Sequence, residues 1–126
     1  MRVILFLLGL SVALLGYYLV KWSYDWVREE SGLPTRDEDV VAVPHYIIGG
    51  FERLLAFFLV ALNVSGAFTI LVAWMAAKLA ANWQRRATPG DDDKKDQEVR
   101  ASTLIALMHG VLSLAFGVLG GLIAQA

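Results

Sequence analysis

The sequence predicts an all-α membrane protein with three transmembrane helices, because its charges avoid three long apolar stretches. Of the 126 residues, 57% are hydrophobic and 18% are charged, and the mean hydropathy is +0.56, which is more apolar than an ordinary soluble domain. The stretches run from Val3 to Val20, from Leu54 to Ala77 and from Ala101 to Ala126. Backbone amides in lipid must be hydrogen-bonded within the chain, so we expect each stretch to be helical.

The first stretch is long enough to anchor the chain. Val3 to Val20 contains no charge, and as a helix it would measure about 27 Å, close to the thickness of a hydrocarbon core. A cleaved signal peptide is the alternative, with Arg2 as its basic start. No small-x-small cleavage motif follows Gly16, so we expect an uncleaved span at about residues 3–21.

The second and third stretches predict a pair of antiparallel spans. The second opens after Glu52 and Arg53, and as one helix it would measure about 36 Å, enough to cross a bilayer with tilt. We place the two spans at about residues 53–78 and 102–124 and expect them to form an antiparallel hairpin. The whole chain, residues 1–126, is then a single membrane domain.

The basic residues predict an orientation. More lysine and arginine residues flank the N-terminus and the 82–100 linker than the 22–51 loop. By the positive-inside rule, the N-terminus and the linker are expected in the cytoplasm, and the loop and the C-terminus outside. The chain would then be a multi-pass protein of a bacterial cytoplasmic (inner) membrane.

Gly32 and Pro34 are expected to end the first helix. An aromatic belt at the exit of this helix comprises Tyr17, Tyr18, Trp22, Tyr24 and Trp26.

Polar residues within the spans predict a seam between the second and third helices. If these helices are centred near Ser65 and Ser113, Ser65 lies level with Ser113, and Thr69 with His109. An ionisable group inside a membrane suggests a function, so His109 is a candidate proton relay. We favour the alternative of a packed, neutral histidine, since no carboxylate is expected at that depth. The remaining member of the seam, Asn63, is interpreted as an interhelical hydrogen-bonding residue.

Small residues at four-residue spacing predict close helix packing. The expected packing glycines are Gly66, Gly110, Gly117 and Gly121. Further small residues lie on the first span (Gly9, Ala13 and Gly16) and on the second (Ala73, Ala76, Ala77 and Ala80).

Glu52 and Arg53 are placed at the outer mouth of the second helix. A carboxylate is favoured in the first turn of a helix, and an arginine there can reach the lipid head groups. A functional Glu52 is the alternative.

Composition excludes several classes of function. The chain has no cysteine, which removes disulfides, thiolate nucleophiles and thiolate metal centres. A net charge of −1 argues against a nucleic-acid-binding surface. The carboxylates of the 22–51 loop and His45 lack the spacing of a cation site, so no metal or cofactor is expected. Paired acids at head-group depth are also missing, so we do not expect an enzyme.

Part of the chain resembles a known family. The residues concerned are Gly50-Phe51-Glu52-Arg53-Leu54-Leu55, Gly66-Ala67 and Ala76-Ala77-Lys78, followed by Glu98, Thr103 and Ser113. In these motifs the second half of the chain resembles an uncharacterised family of small bacterial integral-membrane proteins with a Glu-Arg-Leu-Leu … Ala-Ala-Lys helix. The resemblance implies that the predicted hairpin is a structural unit, and it implies no activity.

These observations predict a non-enzymatic membrane subunit or scaffold. Its expected partners are the lipid bilayer and either further copies of itself or a larger membrane protein, because small-residue faces are abundant and catalytic constellations are not seen. The alternative is a small oligomeric channel, transporter or holin-like pore lined by Asn63 and His109. A third interpretation, an enzyme acting on lipids, has the least support.

Overall fold

A computed structural model of the chain describes residues 1–32, 45–84 and 93–126. Within these ranges every regular element is helical. The helices are α1 (Arg2–Glu30), α2 (His45–Ala61), α3 (Ala67–Gln84) and α4 (Asp93–Gln125). The predicted all-helical fold class is therefore confirmed.

Helix α1 continues well beyond its apolar stretch. It has 29 residues, and at 1.5 Å per residue it measures about 44 Å. Its end is closed by a hydrogen bond of 3.0 Å from the Ser31 N–H to the Val27 carbonyl, and Gly32 then takes the left-handed conformation with φ of 61°. Gly32 ends the helix as expected, because glycine adopts this conformation without a steric penalty.

The predicted second span is not one helix, since a turn at residues 62–66 divides it into α2 and α3. Asn63 has φ of 50° and Gly66 has φ of 78°. The Asn63 N–H donates to the Val60 carbonyl at 2.8 Å and the Val64 N–H to the Leu59 carbonyl at 2.9 Å. These two bonds form a Schellman motif, which ends α2 with Asn63 in the left-handed position. The chain reverses direction at this turn, and the largely apolar composition of residues 54–77 does not indicate such a reversal.

Helices α2 and α3 form an antiparallel hairpin around that turn. Glu52 of α2 pairs with Lys78 of α3 and accepts a hydrogen bond from Trp74. Phe51 also lies beside Trp74, with ring centroids 6.3 Å apart. These partners are nearly equidistant in sequence from the turn, which is the signature of two helices that run in opposite directions. The observed hairpin thus lies within the predicted second span.

Helix α4 packs along both α1 and α2. It is antiparallel to α1, because Gly120 contacts Gly9 near the start of α1 while His109 contacts Tyr24 near its end. It is parallel to α2, because the successive glycines Gly117 and Gly121 of α4 meet the successive turns of α2. The predicted hairpin of two long antiparallel spans is therefore not confirmed: α4 runs parallel to α2, and α3 contacts α4 less extensively than α2 does.

The four helices alternate in direction, which places the two chain termini together. At one end of the bundle lie Arg2, the 62–66 turn and Gln125, and we call this the turn end. At the other, the loop end, α1 and α3 finish and α2 and α4 begin. The prediction had put the N-terminus and C-terminus on opposite sides of the membrane. The difference arises from the additional reversal at the turn.

In the described part of the chain, two helices are by length and composition able to cross a membrane: α1 and residues Gln97–Gln125 of α4. Residues Ala67–Ala81 of α3 form a shorter apolar helix. All four helices expose large apolar side chains, for example Leu7, Phe58, Val72 and Leu119. Inside the bundle, Ala56 of α2, Leu71 of α3 and Leu114 of α4 form a buried cluster.

Candidate functional site

Among the residues whose burial the structure describes, two charged residues are buried inside the bundle. They are Glu52, which is 1% exposed, and Arg53, which is 5% exposed. Because α2 begins at His45, Glu52 is the eighth residue of the helix and not part of its first turn. The predicted placement of both residues at the outer mouth of a helix is therefore corrected: they point into the protein, where a charge requires partners.

Glu52 obtains its partners from α3. Lys78 Nζ lies 2.5 Å from Glu52 Oε1, and the Trp74 indole N–H donates to the same oxygen at 3.0 Å. Lys78 keeps 23% of its side-chain surface exposed, whereas Glu52 keeps 1%. The carboxylate is thus the buried member of the pair, and both of its partners come from one face of α3.

Arg53 connects α2 to α4 and α1. Its Nη1 donates to Ser113 Oγ at 3.0 Å, and Ser113 in turn donates to the Gly49 carbonyl at 2.9 Å. The guanidinium also lies over the ring of Tyr17, 5.6 Å from its centroid, in a cation–π arrangement. Ser113 is 1% exposed, so this hydrogen-bonded chain is shielded from solvent. Glu52 and Arg53, although adjacent in sequence, therefore bind to different parts of the bundle.

Together these residues form a charged cluster, defined as Glu52, Arg53, Lys78, Trp74 and Ser113. The two cations and one carboxylate leave a formal charge of +1. Ser113 lies twelve residues before Gln125, which places it about 18 Å from the turn end along α4. This distance is comparable to half of a hydrocarbon core of about 30 Å. In a bundle that spans a membrane, this would be the depth at which ionised groups are most costly.

Gly110 makes room for the cluster on α4. A Cβ atom at this position would lie 3.1 Å from Lys78 Nζ and 3.9 Å from Glu52 Oε2. The first distance is tighter than ordinary contact, so a side chain here would require the Lys78 ammonium to shift, whereas the second is ordinary van der Waals contact. The predicted packing role of Gly110 is thus a contact with charged side chains and not with another helix backbone.

His109 lies one turn from Ser113 but outside the charged cluster. Its ring packs edge-on against Tyr24 with centroids 4.9 Å apart, and Nδ1 lies 2.6 Å from the Ile105 carbonyl oxygen. The Nδ1 contact stays within α4 and the ring contact joins α4 to α1. These contacts support the interpretation of a packed histidine over that of a proton relay.

The predicted polar seam does not form. Asn63, Ser65 and Thr69 are exposed at the turn end, where they line a depression beside Gln125. His109 and Ser113 lie at least twelve residues away along α4, a distance of about 18 Å or more. The predicted seam requires residues 53–78 to form one continuous helix antiparallel to the third span. The turn at residues 62–66 divides that helix, so the expected level pairs do not meet.

The other packing glycines divide between two roles. At Gly117 a Cβ would lie 2.7 Å from Ala56 Cβ, and at Gly121 it would lie 2.6 Å from Val60 Cβ, so both mediate close contact between α4 and α2. Gly66 has no atom within 4 Å of its Cβ position and serves the turn through its positive φ. The predicted packing by Gly66 is therefore not found.

Sequence reasoning missed two members of the charged cluster, Lys78 and Trp74, and the contact of Tyr17 with Arg53. Lys78 and Trp74 had been read as part of one long helix, on which they could not turn back to Glu52. A signal was present in Asn63-Val64-Ser65-Gly66, which is typical of a turn. Among the described residues no group of three His, Asp or Glu side chains is placed to hold a metal. The carboxylates at 37–39 and the His45 side chain lie outside the described residues.

The chemistry available to the charged cluster is electrostatic and hydrogen-bonding: it ties α1, α2, α3 and α4 to one another. Comparison of the chain with protein-family models, with curated proteins and with solved structures yields no match. The resemblance of the second half to a family of small bacterial membrane proteins therefore stays a prediction.

Proposed function

We propose that the protein is a non-enzymatic, multi-pass membrane subunit that associates with a second copy of itself through the outer face of α3. The observation that carries this proposal is that the helices differ in how far the rest of the chain covers their small residues. The packing glycines of α1 and α4, such as Gly9, Gly117 and Gly121, are buried inside the chain. Ala73, Ala77 and Ala80 of α3 are exposed.

The surface of α3 is divided into three faces. Trp74 and Lys78 point to Glu52 on α2. Leu71 and Met75 point toward α4. At about 100° per residue, Ala73, Ala77 and Ala80 fall on the remaining side of the helix, away from both neighbours. This alanine face is thus free for a helix of another molecule.

Small residues are what a helix contact in lipid requires. Apolar side chains gain nothing by leaving lipid for another helix, so association depends on close backbone approach and dense packing. Alanines at four-residue spacing, such as Ala73 and Ala77, allow that approach. The burial of Gly9, Gly117 and Gly121 within the chain leaves α3 as the exposed small-residue face.

The topology supports a bacterial cytoplasmic membrane with the loop end in the cytoplasm. Described residues near this end include Lys21, Arg28, Lys94, Lys95 and Arg100, and the connecting segments add Arg36, Arg85 and Arg86 in sequence. At the turn end, the basic residue among the described ones is Arg2. The positive-inside rule then assigns both termini to the outside, which replaces the orientation expected from three spans.

The test is the oligomeric state in lipid nanodiscs, measured by native mass spectrometry and cross-linking. We expect a dimer for the unchanged chain and a dissociation constant raised at least about tenfold for Ala77→Ile, since a β-branched side chain separates the helices. Ala115→Ile is the matched control, because Ala115 is also an exposed alanine but lies on α4. A monomeric unchanged chain, or an unaltered dimer of Ala77→Ile, would contradict the proposal.

A second candidate function, ion or proton movement through an oligomer, is favoured by the charged cluster. Buried ionisable groups at mid-membrane depth are commonly functional. Proton and ion flux into liposomes should then fall for Glu52→Gln, with His109→Phe as a control that retains the ring contact with Tyr24. Absence of flux through the unchanged chain would eliminate this candidate and leave the subunit proposal unaffected.

A further inference from the structure

We propose that the groove between α3 and α4 binds one acyl chain of a glycerolipid, with the lipid head group at the turn end. This inference rests on the membrane location proposed above but not on self-association. It follows from two adjoining depressions that share residues, one lined by polar and apolar residues and one lined by apolar residues alone.

A depression of mixed lining, in which four of the eleven residues are polar, forms the mouth of the groove. It has a volume of about 290 Å³ and lies at the turn end. Its polar side chains are Asn63, Ser65, Thr69 and Gln125, all on exposed residues. The Gln125 Nε2 already donates to the Val60 carbonyl. Asn63, Ser65 and Thr69, together with the Gln125 amide oxygen, supply uncharged hydrogen-bonding groups at the mouth. They suit the uncharged ester and hydroxyl oxygens of a glycerol backbone.

The apolar depression continues from the mouth. It has a volume of about 510 Å³, and every lining residue is apolar. Phe68 and Leu122 line both depressions, so the two are continuous. The other lining residues are Leu71, Val72 and Met75 of α3, with Val111, Leu114, Ala115, Val118 and Leu119 of α4. The change in lining, from a partly polar mouth to an apolar groove, has the same order as the change from head group to hydrocarbon along a lipid.

The length of the groove fits one leaflet. Along α4, the lining extends from Leu122 at the mouth to Val111 at the inner end, which is about 16 Å. Half of a hydrocarbon core of about 30 Å is about 15 Å. The inner end lies next to Gly110, against which Lys78 packs. A chain that enters at the turn end would therefore finish at the depth of the charged cluster.

The lining also distinguishes a lipid chain from a helix of a second copy. Helix contacts in lipid require small residues, whereas the groove is lined mainly by Leu, Val, Met and Phe. An acyl chain is thin and flexible enough to follow such a surface. The alanine face proposed for self-association lies on the other side of α3, so both interactions fit one molecule.

The experiment counts the lipids retained per chain. The protein is reconstituted in vesicles of phosphatidylethanolamine and phosphatidylglycerol, extracted in mild detergent and analysed by native mass spectrometry. We expect one retained lipid per chain, and at least about a fivefold loss for Val72→Trp and for Ala115→Trp, whose indoles fill the groove. The double variant Ser65→Ala/Thr69→Val should weaken retention by about fivefold for each hydrogen bond lost at the mouth.

Val3→Trp is the matched control, because Val3 is 71% exposed and Val72 is 68% exposed. This control should retain its lipid. Equal retention in all variants would indicate unselective boundary lipid and overturn the proposal, as would a loss of lipid from Val3→Trp equal to that from Val72→Trp. Release of the unchanged chain from membranes by alkaline carbonate would instead contradict the membrane location itself. The fold of each variant is checked by circular dichroism and by its dimer content.

Discussion

Lys78 Nζ on α3 lies 2.5 Å from Glu52 Oε1 on α2, and this ion pair closes the hairpin that the 62–66 turn begins. The two residues are 26 positions apart in sequence. Glu52 is the more buried of the two and also accepts the indole N–H of Trp74. The pair is therefore both the electrostatic centre of the bundle and the contact that fixes α3 against α2.

The first prediction concerns charge balance in the cluster. Glu52→Gln leaves the buried Arg53 and the half-buried Lys78 without a carboxylate, and we expect it to destabilise the protein by about 3–5 kcal/mol. Lys78→Met leaves Glu52 and Arg53, whose charges cancel, so its cost should be smaller. Unfolding in detergent, followed by circular dichroism, measures both. A larger cost for Lys78→Met would contradict the charge balance described for this cluster.

The second prediction concerns the contact between α4 and α2. A Cβ at Gly117 would overlap the carbonyl oxygen of Arg53, so Gly117→Ala should cost about 1–3 kcal/mol through strain. Gly50→Ala is the control, because Gly50 is also inside a helix but has no atom within 4 Å of its Cβ position. That variant should gain about 0.5–1 kcal/mol from the higher helix propensity of alanine. Equal stabilities would argue against the close contact at Gly117.

The third prediction tests topology. The chain contains no cysteine, so single cysteines report position without background. Ser65→Cys and Ala126→Cys should react with a membrane-impermeant maleimide from outside the cytoplasmic membrane. Ser31→Cys and Lys94→Cys should react only after the membrane is permeabilised. Labelling of Ser31→Cys and Lys94→Cys from opposite sides would show that the predicted three-span arrangement is the right one.

The fourth prediction concerns the conformation of the turn. Asn63 has φ of 50°, a conformation that disfavours β-branched side chains. Asn63→Val should therefore cost about 1–2 kcal/mol, while Asn63→Gly should be close to neutral. Thermal unfolding of the two variants provides the comparison. If Asn63→Gly were as destabilising as Asn63→Val, the Asn63 side chain would have a role beyond its backbone conformation.

The fifth prediction separates packing from proton chemistry at His109. His109→Phe preserves an aromatic ring against Tyr24, whereas His109→Ala removes it at a cost of about 0.5–1.5 kcal/mol beyond the lost burial. Stability measured by unfolding should rank His109→Phe above His109→Ala. The reverse order would contradict a stabilising ring contact with Tyr24, because both variants lack the Nδ1 contact with Ile105 and differ in the ring.

The sequence was sufficient to predict an all-helical chain, because charge-free stretches such as Val3 to Val20 admit few other structures in lipid. It also located the end of α1 from Gly32, since a left-handed glycine is a local signal. The division of the 53–78 stretch was missed for a physical reason. Apolar side chains in lipid are uniformly favourable, so hydropathy does not distinguish one long helix from two short ones.

The candidate site was predicted in part. Glu52, Arg53 and Ser113 were recognised as candidates, but their partners depend on how α2, α3 and α4 meet, and that follows from the turn. Seen within one long helix, Lys78 was 26 residues from Glu52 and far away in space. A local backbone conformation at Asn63 thus determines which distant charges are neighbours.

The turn between α2 and α3 also bears on biosynthesis. Its residues, Leu62 to Gly66, carry no charge, and neither does any residue from Leu54 to Ala77. A charged side chain at the centre of a bilayer costs roughly 2.5–3.5 kcal/mol on insertion scales. In the proposed orientation, the tip of the hairpin is the part that must travel furthest across the membrane. The α2–α3 pair can therefore insert tip first from the cytoplasmic side, with Glu52 and Lys78 joining one another as they follow.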